Sequence, residues 1–185
     1  MFRRTVLLPT LLVAGLVMAA CGSSTPSASN STTTTGASAA SCQGTAGQPA
    51  VQTATLPAVA HATDLAVEPV ISAGTPPPPT TLVTRDLVVG RCATATASST
   101  VLVQYVGTDY TDGTVFDSSW SRGAPTSFPL SGVVPGFAQG IEGMKVGGRR
   151  EIVIPPALGY GASGQPPAVG ANETLVFVVD LKSVS

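Results

Sequence analysis

Between Thr100 and Gly107 apolar and polar positions alternate, with Val101, Val103 and Tyr105 on one face of an extended segment and Leu102, Gln104 and Val106 on the other. A period of two is the signature of a β-strand. Asp112 and Gly113 supply a tight-turn pair, and residues 114–119 (TVFDSS) are predicted as the returning strand. Residues 81–89, 150–155 and 174–182 are rich in β-branched side chains and read as further strands. The period changes once. Phe137, Ile141 and Met144 recur at offsets of four and three behind Pro135 and Gly136, the apolar stripe of a short helix. Gly140 and Gly143 lower its intrinsic propensity, so packing must hold it. Residues 155–173 (PPALGYGASGQPPAVGANE) are too rich in Gly and Pro to be regular, and a loop of that length in a small domain usually carries function. The inventory predicts an α+β fold: an antiparallel β-sheet with one short α-helix packed on one face.

The amino-terminal third has neither period. Arg3 and Arg4 precede an apolar run, residues 5–20, that ends in small residues before Cys21. That layout is a secretory signal and is short for a membrane span. Residues 18–21 (MAAC) resemble the bacterial lipoprotein signal, which implies cleavage after residue 20 and lipidation of Cys21. The alternative is an ordinary signal peptide with a chance cysteine. Residues 21–60 contain no charged side chain and are mostly Ser, Thr, Ala and Gly. They read as a flexible tether, because such a composition buries too little apolar surface to offset chain entropy. The expected division is therefore 1–20 signal peptide, 21–60 lipidated cysteine and tether, and 61–185 folded domain. The expected location is the outer face of the cytoplasmic membrane, reached by export and held by a lipid anchor.

Charge then narrows the chemistry. All ten acidic residues lie between Asp64 and Asp180, and the formal net charge of −1 offers no basic surface for nucleic acid. With Cys21 assigned to lipid, Cys42 and Cys92 form an even pair in an oxidising compartment, to be read as a disulfide or as two free thiols. The cysteines lack metal-ligand spacing and His61 is the sole histidine, so neither a metal site nor a serine-histidine-acid triad is expected. Gly159, Gly161 and Gly164 satisfy a Gly-x-Gly-x-x-Gly pattern, but Gln165 leads directly into Pro166 and Pro167. No phosphate-cradling helix can follow there, and no cofactor is expected.

What remains is a set of aromatic and apolar residues with few titratable neighbours: Tyr105, Phe116, Phe128, Phe137, Tyr160 and Phe177, with Asp117, Arg122, Val133 and Val134. Any one of these phenylalanines taken alone is as well explained by core packing. Their order is more specific. In VQYVGTDYTDGTVFDSS, GVVPGFAQGIEGMKVGGRREIVIPPALGYG and ETLVFVVDL the chain resembles the FKBP-type peptidyl-prolyl cis-trans isomerases, from about Leu82 to Leu181. The resemblance implies a strongly twisted antiparallel sheet wrapped around the short helix. It also implies a catalytic pocket built from Tyr105, Phe116, Asp117, Tyr160 and Phe177, with Arg122, Val133, Val134, Phe137 and Val169 binding substrate. Arg122 matches the position that pairs with the pocket aspartate.

Three positions depart from the family pattern. Phe137 stands where tryptophan often forms the pocket floor, Thr126 where an aromatic is frequent, and Gln165 where some members have histidine. The implied activity is rotation of X-Pro bonds in exported proteins, with the twisted amide bound in an apolar pocket. The alternative is a non-catalytic chaperone or binding module of the same shape. The implied partners are proline-containing polypeptides, macrolides and, through the anchor, the membrane; the chain is expected to act as a monomer.

Overall fold

A computed structural model describes Cys42, residues 44–47 and residues 56–185. The expected signal peptide, Cys21 and most of the expected tether lie outside the described residues. Nine strands are described: β1 (Thr45–Ala46), β2 (Val59–Ala60), β3 (Val70–Ile71), β4 (Val83–Val89), β5 (Thr100–Asp109), β6 (Val115–Ser118), β7 (Thr126–Pro129), β8 (Arg149–Ile154) and β9 (Leu175–Val184). Among the described residues a single α-helix, α1 (Pro135–Ile141), lies between β7 and β8.

The main sheet has the order β1-β4-β8-β9-β5-β6, with every pair antiparallel. Strand β5 is its organiser. One edge pairs with β9 along its length, and the other is shared, with Val106–Thr108 opposite β6 and Thr100–Val103 opposite β7. The α+β arrangement expected from the two periods is the one observed. Strand β7 is too short and too polar at Thr126 and Ser127 to signal itself in sequence.

Alternation divides the sheet into two faces. Val101, Val103 and Tyr105 of β5, Ile152 and Ile154 of β8, and Leu175, Phe177, Val179 and Leu181 of β9 enter one buried cluster with Phe137, Ile141 and Met144. Val106, Val153, Val176 and Val178 point the other way, into a second cluster with Ile71, Leu87 and Tyr110. The helix glycines explain how α1 lies so close on the first face. A Cβ on Gly136 would come within 2.3 Å of Ile154 Cγ2, and one on Gly140 within 2.5 Å of Ile152 Cγ2. Glycine is therefore a requirement of contact, and helix propensity gives way to it.

Two parts of the expected tether are sheet structure. Thr45 and Ala46 pair with Val89 and Val88 on the open edge of β4, and the Gly47 amide donates to the Leu87 carbonyl at 2.7 Å. Leu56 and Val59 pack on the second cluster, and β2 pairs with β3. An uncharged Ser/Thr/Gly stretch cannot build a core of its own, but a sheet edge needs only its backbone groups. Cys42 and Cys92 are joined in a disulfide across a sequence separation of 50 residues. By the chain-entropy argument such a closure contributes about 4 kcal/mol.

Candidate active site

The site is built where β5, β6 and β9 run side by side. Gly107 of β5 sits opposite Phe177 on one side and Asp117 on the other. A Cβ there would lie 2.7 Å from the Phe116 ring and 2.8 Å from the Phe177 ring, so the missing side chain is what lets those two rings meet. They do so edge to face, with centroids 5.5 Å apart and planes at 84°. Phe137, entering from the first turns of α1, sets its ring 5.0 Å from Phe177 and 6.2 Å from Tyr105, again edge-on. Such T-shaped contacts are the favoured aromatic geometry and leave ring faces available.

Those faces bound an open cavity of about 330 Å³, in the size range of small-molecule sites. Tyr105, Phe116, Phe137 and Phe177 form its aromatic wall; Val133 and Val134 border it ahead of α1; Asp117 and Tyr160 stand at its polar side. The Val134 carbonyl accepts the Phe137 and Ala138 amides, while its own N–H is bonded to nothing in the described residues. Tyr160 is half-buried and lies between two single turns of 3-10 helix, Pro156–Leu158 and Gly161–Ser163. Those turns, followed by a bridge from Gln165 to Val169, are what the glycine-rich loop forms in place of a phosphate-binding helix.

Arg122 is held beside the cavity by its partners. Its Nη1 donates to Asp117 Oδ1 at 2.5 Å and its Nη2 to the Tyr105 hydroxyl at 2.8 Å, and the Tyr105 hydroxyl donates to Asp117 Oδ2. The Arg122 guanidinium carbon also lies 5.5 Å from the Tyr105 ring centroid. Two of the expected pocket residues are not on the cavity wall: Val169, which is buried in the core, and Arg122, which stands beside the cavity through Asp117 and Tyr105. Phe128, one of the aromatic set read from sequence but given no pocket role there, and Gly132 are also wall residues. Phe128 faces Val101 across β5 and β7, on the face that carries Tyr105, so it supplies an aromatic two residues beyond Thr126. Its ring lies 5.7 Å from Tyr105.

The electrostatics follow from partial burial. Desolvation, reinforced by the hydrogen bond to Asp117, pushes the Tyr105 phenol up to about 12. Desolvation also acts to raise Asp117, but hydrogen bonds from Tyr105 and Arg122 outweigh it and hold the carboxyl below its usual range. Hydrogen bonding to Asp117 and Tyr105 raises Arg122 further. The set is thus a fixed carboxylate, guanidinium and neutral phenol through the neutral range. It offers orientation and a local field and has no group poised to exchange a proton. Because Arg122 and Asp117 are 46% and 40% exposed, their pairing contributes little to stability.

An aromatic cavity on the helix face of an antiparallel sheet, with no group poised to exchange a proton, defines a site that grips apolar rings and leaves covalent chemistry alone. The comparisons give that class its family. Residues 92–182 match the family described as FKBP-type peptidyl-prolyl cis-trans isomerase. The probable FK506-binding protein of Corynebacterium glutamicum is 48% identical over 107 residues, 58% of this chain and 90% of that protein. The peptidyl-prolyl isomerase FkpA of Escherichia coli is 49% identical over 87 residues, 47% of this chain and 32% of that protein. In three dimensions, the crystal structure of Escherichia coli FkpA matches with a TM-score of 0.54 at 44% identity, over 56% of this chain and 48% of that one. AtFKBP13 matches with a TM-score of 0.52 at 32% identity, over 56% of this chain and 93% of that one. The chain belongs to the FKBP-type peptidyl-prolyl cis-trans isomerases. It is an enzyme of that class.

Proposed function

We propose that the chain speeds X-Pro rotation in exported proteins by closing its aromatic cavity around the prolyl ring and binding the twisted amide more tightly than the planar one. The problem is kinetic. Trans is favoured over cis by only about 0.5–1 kcal/mol, whereas the barrier between them is about 18–20 kcal/mol. In the twisted amide the nitrogen no longer shares its electron pair with the carbonyl, so the charge separation of the planar form is lost. An apolar, water-poor cavity penalises the planar form more, and each tenfold of rate needs about 1.4 kcal/mol of such preference. The observation that carries this reading is an aromatic-walled space of about 330 Å³ that no side chain of the described residues fills.

In this scheme Phe116, Phe137 and Phe177 grip the ring, the Tyr160 hydroxyl and the Val134 N–H donate to carbonyls of the bound peptide, and the Asp117–Arg122 pair orients the rotating carbonyl. No bond to the enzyme forms and no proton is transferred. The test is exchange-sensitive NMR on an alanine-proline peptide. Phe177→Ala is expected to lower kcat/KM by about tenfold or more and Tyr160→Phe by about three- to tenfold. Unchanged turnover in both would defeat the site assignment. FK506, the ligand in the names of the relatives, is expected to compete with the peptide for the same cavity.

We further propose that Cys21 carries lipid and holds the enzyme on the outer face of the cytoplasmic membrane. The disulfide supports this reading, since such bonds persist in oxidising compartments. The mass of the mature amino terminus checks it: an acylated Cys21 is expected, and a free one would refute it.

A further inference from the structure

Residues 56–75 do more than cover the second face of the sheet, and they precede the residues 92–182 that match the family. They are fastened to the β5–β6 hairpin at two places. At one, the Gly74 amide donates to the Tyr110 carbonyl at 2.7 Å and the Tyr110 hydroxyl donates to the Thr75 carbonyl at 2.9 Å. At the other, Glu68 Oε1 accepts the Ser118 hydroxyl at 2.8 Å, across 50 residues of sequence.

Ser118 follows Asp117 directly and is only 6% exposed. A serine hydroxyl has one proton to give and lone pairs to receive. With the proton committed to Glu68, the lone pairs face the Trp120 and Ser121 amides, at 3.2 and 3.4 Å. The Ser121 hydroxyl closes the same turn on the Ser118 carbonyl at 2.7 Å, and the Arg122 amide donates to the Ser119 carbonyl at 3.2 Å. The turn so fixed starts at Asp117 and ends at Arg122, the two residues whose side chains pair beside the cavity. Glu68 itself is exposed, which leaves this turn as the reason for its one side-chain bond.

We propose that Glu68 is a positioning residue for the active site: through Ser118 it sets the turn that holds the Asp117–Arg122 pair in place. Its effect on turnover rests on the role given above to that pair. Trp120, the only tryptophan of the chain, sits in this turn with its indole against the second cluster, so its fluorescence reports the turn independently of catalysis.

The test compares Glu68→Ala, Glu68→Gln and Ser118→Ala in the full-length protein. Glu68→Ala and Ser118→Ala are each expected to shift Trp120 emission and to lower kcat/KM by about three- to tenfold. The double variant is expected to be no worse than either single one, as for two halves of one interaction. Glu68→Gln keeps an oxygen that accepts from Ser118 and is expected to restore both readings. Wild-type emission and turnover in Glu68→Ala would overturn the proposal, as would a Glu68→Gln as damaged as Glu68→Ala. Shifted emission with intact turnover would uphold the hold of Glu68 on the turn and overturn the catalytic role of the Asp117–Arg122 pair.

Discussion

The two faces of one sheet are finished in opposite ways. On the helix side, Tyr105, Phe137 and Phe177 meet edge-on and leave a cavity unfilled. On the other side, residues 56–75 close over the strands, and two arginine-carboxylate pairs are buried between them: Arg149 with Asp180 and Arg85 with Glu151. The aromatic face keeps its polar groups at the rim, where water screens them. The covered face encloses charge, where desolvation makes every missing partner expensive. Apart from the Glu68–Ser118 link, stability and activity should therefore separate by face.

The sharpest way to break that separation is at Arg149, which is fully buried. Its guanidinium reaches Asp180 with Nε at 2.5 Å and Nη2 at 2.8 Å, and the carbonyls of His61 and Val67 at 2.6 and 3.1 Å. One side chain thus ties β8 to β9 and to the covering segment. Arg149→Ala leaves Asp180 buried, with only Lys182 3.6 Å away. The expected loss is about 3–5 kcal/mol, read as a fall in the urea midpoint, with kcat/KM per folded molecule falling no further than in Glu68→Ala, since Arg149 also holds the Val67 carbonyl next to Glu68. A larger loss of turnover in the folded fraction would show that the faces are coupled.

Glu151 sharpens the comparison through pH. Burial pushes its carboxyl up to about 7, against the opposing pull of Arg85. Arg85 Nη2 lies 2.6 Å from Glu151 Oε2 but donates its aligned hydrogen bond to the Pro57 carbonyl at 3.0 Å, so neither carboxylate oxygen accepts one. The sign follows from proton counts. Between its ordinary value near 4.5 and about 7, the folded state keeps a proton that the unfolded chain has released. Stability from this group is full below that window and is lost as pH rises through it, by about 3 kcal/mol in all. Asp117, held low, acts in the opposite sense, and what it contributes is lost only as pH falls below the ordinary carboxylate range. Subtracting the stability curve of Glu151→Gln from that of the wild type isolates the first effect; a difference independent of pH from 4.5 to 7 would refute it.

The aromatic face was the legible one. Alternation in β5, the β-branched run of β9 and the offsets of Phe137, Ile141 and Met144 are strong signals, and the family motifs fall on them. What escaped lacked a period. Phe128 lies in a four-residue strand that forms because β5 has a free edge, and Val169 follows the glycine-rich loop into the core although its motif position implied the pocket. The covering segment was hidden for a further reason: Leu56, Val59 and Ile71 follow no period, and their burial depends on a sheet face far away in sequence. A local window cannot show that such a face stands open.

The smallest effect falls at the boundary of the two regimes, on the Tyr105 hydroxyl. The ring belongs to the aromatic wall, but the hydroxyl donates to Asp117 and accepts from Arg122, both substantially exposed. In Tyr105→Phe the ring contacts persist and water can replace the lost partner, so the stability cost is expected to stay near 1 kcal/mol. Catalysis should respond differently. The phenol is one of the groups that hold Asp117 low, so its removal lets the carboxyl rise toward the ordinary range. The expected result is a loss of about two- to fivefold in kcat/KM at neutral pH, as ~0.5–1 kcal/mol would give. The acid limb of the pH profile should move to higher pH. A limb that stays in place while stability falls by several kcal/mol would make Tyr105 a core residue alone and strip the aromatic face of its polar rim.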